Sequence, residues 1–299
     1  MHKRTYLALL LAAICVSLPA AVIGQYGKGE KPASLLYKVT GNDLTKPSYI
    51  FGTFHAICPT AMVPFENLES YLAETDQLMM EIDMDDAAEM RSMMKGVIIP
   101  DGKTLKDFLT VEQFAKVDEM IKNYLGYSAE NVKILKPSML TVMALTSPKA
   151  IGCTPTVYDL SLMQNAVGKK KPVVGLETVA SQIAVIDSRP IAKQAEDLYK
   201  TAQDPQKSID ELKKLMAAYQ ARDPEKLYKM TNSNLPEDKK FQVRLLDDRN
   251  RVWISKLETA FKEKPTFVAV GAGHLGGKTG VIKLLRKRGY KVEPVRLTS

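Results

Sequence analysis

The sequence contains little of the residue types that commonly form catalytic and metal sites. Its 299 residues include three cysteines, three histidines and one tryptophan. No C-x-x-C pair is present, which argues against the usual cysteine-rich zinc site. The absence of a G-x-S-x-G segment argues against the nucleophile elbow of serine hydrolases. A P-loop is also incomplete, because Ala272 stands where the glycine before Gly277-Lys278-Thr279 is needed, so a nucleotide site is not predicted.

Long apolar runs are missing as well. Residues 6–16 are almost entirely apolar, but this run is short and is followed by Pro19, so no stable membrane anchor is expected. A lysine and an arginine precede it, and the pattern predicts a secretory signal peptide over residues 1–24. Cleavage is expected before Gln25, with cleavage after Ala20 as the alternative. The protein is therefore expected to be exported, to a periplasm or out of the cell.

The excess of positive charge does not indicate a nucleic-acid partner. Removal of residues 1–24 deletes two positive charges and no acid, which lowers the formal net charge from +8 to +6. The basic clusters at 169–171 and 283–288 are not interleaved with aromatic residues. These clusters are more typical of solvated turns and helix ends, and no nucleic-acid partner is expected.

Two cysteines remain after the predicted signal peptide, Cys58 and Cys153. An oxidising compartment permits a disulfide between them, which would hold the loop beside His55. Two buried free thiols are the alternative, and a cysteine-histidine metal site is a further one.

The order of the segments predicts an α/β fold. Strand-like segments lie at 35–40, 48–54, 77–83, 171–177, 266–270 and 291–297. Turn residues between the first two predict an antiparallel hairpin, and a helix near 65–75 predicts that the second and third strands form a parallel pair. A large helical insertion is expected at about 85–167, with further helices between 178 and 262. The mature domain, residues 25–299, is thus expected to contain a mixed sheet built from both chain ends.

The histidines beyond residue 24 share one sequence frame. His55 and His274 each stand three residues after a glycine, at the carboxyl end of a predicted strand. Two structural histidines, each satisfied by hydrogen bonds, are the simplest interpretation of such residues. Their matching frames instead favour a functional pair, because histidine is the commonest metal ligand and titrates near neutral pH.

Acidic residues end two other predicted strands. Glu81 and Asp83 lie two residues apart on a strand and so share a face, and Glu177 ends the next strand. Sites in open α/β sheets form beyond the carboxyl ends of the strands. His55, His274 and Glu81 are therefore predicted to bind a divalent metal, which would be Zn²⁺ in a four-coordinate site or Mn²⁺ or Co²⁺ in a larger one.

Four ordered motifs resemble one protein family. They are YIFGTFH at 49–55, LMMEID at 78–83, KPVVGLET at 171–178 and VGAGHL at 270–275. In this order and spacing they resemble the TraB/GumN family, whose animal relatives are the Tiki metalloproteases. The resemblance implies a fold related to the erythromycin-esterase and ChaN-like proteins, and a catalytic centre of His55, Glu81 and His274. It also implies supporting roles for Arg249 and Asn250, and peptide cleavage that depends on Mn²⁺ or Co²⁺.

The favoured hypothesis is an exported metal-dependent hydrolase that acts as a peptidase. In this scheme Glu81 or Glu177 is the general base, and Arg249 stabilises the developing oxyanion. A metal-free esterase-like hydrolase acting on a small molecule is the first alternative, with one histidine activating water directly. A haem- or iron-binding protein is the second, by fold analogy with ChaN-like proteins. An exported scaffold without catalysis is the third.

Overall fold

One mixed sheet organises the chain. The computed structural model describes residues 34–234 and 238–297, so the predicted signal peptide lies outside the described residues. The strands are β1 (Leu36–Thr40), β2 (Ser48–Thr53), β3 (Gln77–Met80), β4 (Val173–Gly175), β5 (Thr266–Gly271) and β6 (Lys291–Pro294). Their order in the sheet is β4-β3-β5-β2-β1-β6. β1 is antiparallel to both of its neighbours, whereas β4, β3, β5 and β2 run parallel. The predicted α/β class is therefore confirmed.

The position of β5 differs from the expectation for β2 and β3. The hairpin of β1 and β2 is present as predicted, but β2 and β3 are not neighbours. β5 lies between them and pairs in parallel with both, with Thr53 opposite Gly271 and Met80 opposite Ala269. The first five residues of β5 are buried, as expected of a central strand covered on both faces.

Helices fill the rest of the described chain. They are α1 (Glu66–Ala73), α2 (Ala87–Gly96), α3 (Val111–Leu125), α4 (Pro137–Leu145), α5 (Pro148–Ile151), α6 (Tyr158–Gly168), α7 (Val179–Asp187), α8 (Ile191–Gln203), α9 (Pro205–Gln220), α10 (Pro224–Asn234), α11 (Lys239–Gln242), α12 (Arg249–Glu263) and α13 (Val281–Lys287). The single helix expected near 238–262 is instead α11 and α12, joined by a π-helical turn at Val243–Asp248. No helix among the described residues is both long and apolar enough to span a membrane.

Alternate residues of the strands pack against different helices. In β2, Phe51 contacts the cluster that contains Tyr158 of α6, whereas Ile50 belongs to the cluster around Trp253 of α12. All four side chains are fully buried. Because successive side chains of a strand point to opposite faces, the sheet is covered by helices on both sides. Its carboxyl-end edge is left to the loops that follow β2, β3 and β5.

Capping interactions define both ends of α3. Thr110 begins α3 by accepting a hydrogen bond from the backbone N–H of Gln113, and the Gln113 side chain accepts one from the backbone N–H of Thr110. This reciprocal arrangement satisfies two backbone donors that the first turn leaves free. The helix ends at Gly126, whose φ of 81° is a left-handed conformation that glycine adopts without steric cost.

Candidate active site

Three side chains from three strand ends meet around Gly271. His55 follows β2, Glu81 follows β3, and His274 ends the 3₁₀ turn Ala272–His274 after β5. A Cβ atom on Gly271 would lie 3.2 Å from Glu81 Oε1, 3.7 Å from His274 Cδ2 and 3.8 Å from His55 Nε2. The two histidines of the matching frames are therefore neighbours in space, with the glutamate beside them.

The two glycines of these frames have different structural roles. A Cβ on Gly52 would lie 2.7 Å from Leu275 Cδ1 and 3.0 Å from Ala272 Cα, so only glycine lets the turn after β5 pack directly on β2. Gly271, by contrast, leaves free the space between the histidines and the glutamate. Its backbone N–H donates a 2.8 Å hydrogen bond to Glu81 Oε1.

A buried carboxylate orients His55. Asp159 on α6 approaches His55 Nδ1 with Oδ2 at 3.0 Å, and its Oδ1 accepts a 2.9 Å hydrogen bond from the Thr53 hydroxyl. Asp159 is buried, whereas the His55 side chain is 69% exposed. Shielding by the surrounding protein lowers the pKa of His55, but the hydrogen bond and charge of Asp159, with the charge of Glu81, raise it to about 9.

Replacement of Asp159 with asparagine is expected to lower the pKa of His55 from about 9 toward the ordinary value of about 6.5. The amide keeps the size of the side chain but removes the negative charge that favours the imidazolium. The measurement is an NMR pH titration of the His55 ring protons in protein treated with a chelator. His274 serves as an internal reference, and a His55 titration that is unchanged in Asp159→Asn would contradict the assignment.

His274 is held by Asn250, one of the two supporting polar residues that the family resemblance implies. Its Nδ1 lies 2.7 Å from Asn250 Oδ1, and the Asn250 amide donates to the carbonyls of His274 and Thr279 at 3.3 and 3.0 Å. Because the Asn250 oxygen can only accept, Nδ1 carries the proton and Nε2 keeps its lone pair. Arg249 Nη1 donates to this Nε2 at 3.2 Å.

The surroundings of His274 keep its ring neutral. Burial lowers the pKa of His274 to about 3, with further lowering from the positive charges of Arg249 and His55 and opposition from Glu81. His55 and His274 therefore differ in protonation at neutral pH, although they share a sequence frame. One is a cation paired with a carboxylate, and the other is a neutral acceptor.

Arg249 connects the two glutamates. Its Nη2 donates to Glu81 Oε2 at 2.5 Å and also to Glu177 Oε1, and its Nε donates to the same Glu177 oxygen at 2.9 Å. Gln182 Nε2 donates to Glu81 Oε2 at 3.1 Å. The side chains of Arg249 and both glutamates are at most 10% exposed, so these are buried ion pairs.

The charges explain the ionisation of Glu81. Burial alone raises the pKa of a carboxyl group, but the positive charges of Arg249 and His55, with the hydrogen bond from the Gly271 N–H, hold the pKa of Glu81 far below its usual value. Glu81 is therefore an anion that already accepts several hydrogen bonds. This makes it a ligand or an orienting group in preference to a base.

The π-helical turn Val243–Asp248 positions Arg249 at the start of α12. Arg249 Nη1 also donates to the Leu245 carbonyl within this turn, at 3.0 Å. The guanidinium lies 4.8 Å from the centroid of the Trp253 ring, which in turn lies 4.5 Å from the His274 ring. π-Helical turns occur frequently at functional sites, and here the turn presents the arginine to both glutamates.

A match to one family model decides the relationship of the chain. The model of the TraB/PrgY/gumN family matches residues 35–294. The chain belongs to the TraB/PrgY/gumN family. This assignment covers the whole sheet and every side chain of the strand-end site.

The chain is similar to curated animal proteins that are named as metalloproteases. The chain is 23% identical to Metalloprotease TIKI1 of Danio rerio, over 83% of this chain and 60% of the relative. It is 25% identical to Metalloprotease TIKI2 of Xenopus tropicalis, over 83% and 57% of the two chains. The Metalloprotease TIKI homolog of Nematostella vectensis is 22% identical over 84% and 65%. The chain thus spans less than two thirds of these relatives, and no solved structure matches it.

The names of these TraB-family relatives imply a divalent metal, and the donor atoms fit one in part. Each imidazole is held through Nδ1 by a polar side chain, the outer hydrogen bond that metal-bound histidines usually make. The Nε2 atom of His274 lies 3.7 Å from Glu81 Oε1. No group of three or more histidine, cysteine or acidic side chains among residues 34–234 and 238–297 is already arranged for an ion. The guanidinium of Arg249 lies between Glu81 and His274, so an ion bound to both requires Arg249 to move.

Hydrogen bonds join five of the six residues predicted for the site: Glu81, Glu177, Arg249, Asn250 and His274. The sixth, His55, lies beside Gly271 and is held by Asp159. Glu177 reaches the site through Arg249 and contacts neither histidine in the hydrogen bonds of the described chain. Asp159, which contacts His55, and Gln182, which donates to Glu81, also contribute to the site and were not predicted. Both lie on helices that cover the sheet and not at strand ends, which were the only positions that the sequence pattern marked.

The predicted disulfide between Cys58 and Cys153 is present in the structure. It joins the segment after His55 to the segment before α6. Beside it, Ile57 and Thr156 form an isolated antiparallel bridge. The disulfide therefore connects the loop of His55 to the helix that carries Asp159.

Proposed function

We propose that this protein is a metal-dependent hydrolase that cleaves peptides. The observation that carries the proposal is the meeting of His55 Nε2, the His274 ring and the Glu81 carboxylate around Gly271, with both imidazoles held through Nδ1. Two imidazoles and one carboxylate are a common ligand set in hydrolytic metal sites. The similarity to proteins named as metalloproteases supports the same reaction class.

Each residue of the site has a separate role in the proposed reaction. His55, His274 and Glu81 would hold the ion, and a bound Zn²⁺, Mn²⁺ or Co²⁺ would supply Lewis acidity at the scissile carbonyl. Asp159 and Asn250 fix the orientation of the two imidazoles. Arg249, once released from His274, donates hydrogen bonds to the oxygen on which negative charge develops. Glu177 uses Oε1 for Arg249, which leaves its Oε2 to accept a proton from the attacking water.

Export to an oxidising compartment is part of the proposal. It rests on the basic and apolar pattern of residues 1–24 and agrees with the disulfide between Cys58 and Cys153. The substrate would then be a peptide or peptide-like small molecule found in the periplasm or outside the cell.

Replacement of either histidine with alanine is expected to abolish both stoichiometric metal binding and peptide hydrolysis. The measurements are calorimetric titrations of chelator-treated protein with Mn²⁺, Co²⁺ and Zn²⁺, and cleavage of a mixed peptide library followed by mass spectrometry. Asp83→Asn is the matched control, because Asp83 follows the same strand as Glu81 but accepts a hydrogen bond from its own neighbour, Asp85. Wild-type protein that binds none of the three ions would refute metal dependence.

A metal-free hydrolase is the second candidate, and the position of Arg249 favours it. The guanidinium already supplies a positive charge between Glu81 and His274, at 2.5 and 3.2 Å from them. In that case the exposed His55, oriented by Asp159, transfers protons to and from water and substrate. Activity that survives exhaustive chelation and is lost in His55→Ala would select this candidate over the first.

A further inference from the structure

A concave region lies among the helices, outside the site at the strand ends. It is a cavity of about 470 Å³ between α2, α4, α7, α8 and α11. Pockets for small-molecule ligands typically measure about 300–1,000 Å³ and are mostly apolar. The apolar part of the lining comes from Val97, Met139, Val142, Ile183, Ile186 and Phe241.

One buried polar atom in the lining lacks a partner. Gln194 is 3% exposed, and its Nε2 donates to the carbonyls of Ile186 and Arg189 at 3.4 and 2.8 Å. Within the described residues, its Oε1 has no hydrogen-bond donor. A buried acceptor left unpaired costs about 1–3 kcal/mol, so a ligand that brings a donor gains from pairing with it.

The cationic side chains of the lining are already neutralised. Lys136 Nζ donates to Asp187 at 2.5 Å, and Arg189 Nε donates to Asp197 at 2.6 Å. A ligand anion would therefore compete with two carboxylates for these cations. The cavity suits an uncharged head group better than an acidic one.

The mouth of the cavity is apolar. Val142, which is 56% exposed, and Ile186, which is 36% exposed, both line it and reach solvent. The wall formed by α7 also borders the strand-end site, since Gln182 donates to Glu81 and the next residue, Ile183, lines the cavity. The two regions are thus neighbours that share one helix.

We propose that this cavity binds a neutral single-chain amphiphile. Its apolar chain lies among the side chains of α4 and α7, and its hydroxyl or amide N–H donates a hydrogen bond to Gln194 Oε1. The assignment is independent of the proposed hydrolytic function, because it uses none of the residues that would hold the ion or the reacting water.

Calorimetric titration with hexanol, octanol and decanol tests the apolar part of the site. The affinity is expected to rise about fourfold for each added methylene, the factor that corresponds to ~0.8 kcal/mol per buried methylene. Decyl methyl ether, which lacks a donor, and decanoate, which is an anion, are each expected to bind about tenfold more weakly than decanol. Decanamide distinguishes an amide head from a hydroxyl head, and tighter binding by either agrees with the proposal.

Two variants locate the binding site. Val142→Trp is expected to fill the mouth and weaken decanol binding at least tenfold, whereas Val111→Trp, at an 83% exposed position on α3, leaves it unchanged. Gln194→Leu is expected to remove the preference for decanol over its methyl ether while keeping the dependence on chain length. Absence of saturable binding by every chain length, or equal binding by the two tryptophan variants, would overturn the proposal. If Gln194→Leu does not fold, the preference of the wild-type protein for decanol decides the role of the head group.

Discussion

Replacing Glu81 with glutamine is expected to lower the free energy of unfolding by about 3–5 kcal/mol, because it breaks a buried ion pair and leaves Arg249 with Glu177 as its remaining carboxylate partner. Glu81 and Arg249 are both almost fully buried, and Nη2 of the arginine donates to the Glu81 carboxylate at 2.5 Å. The glutamine oxygen can still accept from Gly271. Its NH₂ group, however, then faces the guanidinium, where two donors oppose each other.

A double-mutant cycle with Arg249→Met separates the energy of the ion pair from the effects of each substitution on side-chain packing. The single arginine variant leaves two buried carboxylates, Glu81 and Glu177, without their shared cation. The variant that combines Glu81→Gln with Arg249→Met removes two of the three charges, and we expect a coupling energy of about 2 kcal/mol or more. Urea unfolding of chelator-treated protein, followed by circular dichroism, measures all four members of the cycle.

Glu211→Gln is the matched control for this cycle. It removes a carboxylate paired with Lys214 on the surface of α9, with both side chains well exposed, and we expect a change within about 0.5 kcal/mol. A cost below about 1 kcal/mol for Glu81→Gln, or a coupling energy near zero, would show that the buried network does not depend on this pair.

Removal of the disulfide by Cys58→Ser with Cys153→Ser is expected to cost about 2–5 kcal/mol of unfolding free energy. The bond joins residues that are 95 positions apart. Without it, the unfolded chain gains conformational freedom, which in the loop-entropy account amounts to about 4.7 kcal/mol for a loop of about 100 residues. Urea unfolding of the double variant and of the wild-type protein provides the measurement.

Reduction of the wild-type protein gives an independent comparison for the disulfide. Unfolding in the presence of a reductant should match that of the double serine variant, and the reductant should leave the variant itself unchanged. Equal stability of the oxidised wild-type protein and the variant would contradict the expected contribution. Since the bridge also ties the His55 loop to α6, the NMR titration of His55 in the variant reports whether Asp159 still holds the imidazole.

The strand-end residues could be predicted from the sequence because they follow a local pattern. Short apolar segments ending in His55, Glu81, Glu177 and His274 can be read directly, and parallel strands bring their carboxyl ends to one edge. The order of strands is not local in this sense. Nothing within β2 or β3 shows that β5 lies between them, because that arrangement depends on pairing with a distant segment.

The missed members of the site have a similar explanation. Asp159 is an acid in the first turn of α6, a position where acids are common at helix ends and carry no catalytic signal. Its role appears only when α6 packs beside β2. The location of Arg249 depends in turn on the π-helical turn, and the pattern of residues 238–262 predicted a continuous helix there.

The central position of β5 has a consequence for the order in which the protein can fold. The backbone N–H of Thr266 in β5 donates to the Ser48 hydroxyl across 218 positions, and the Thr266 hydroxyl accepts from Gln77 Nε2 across 189. During synthesis, β2 and β3 therefore cannot pair with β5 until more than 265 residues have been made. Contacts of such long range slow folding, and unpaired strand edges invite association with other chains. A nascent chain of this protein is thus expected to depend on chaperone protection until β5, which begins at Thr266, has emerged.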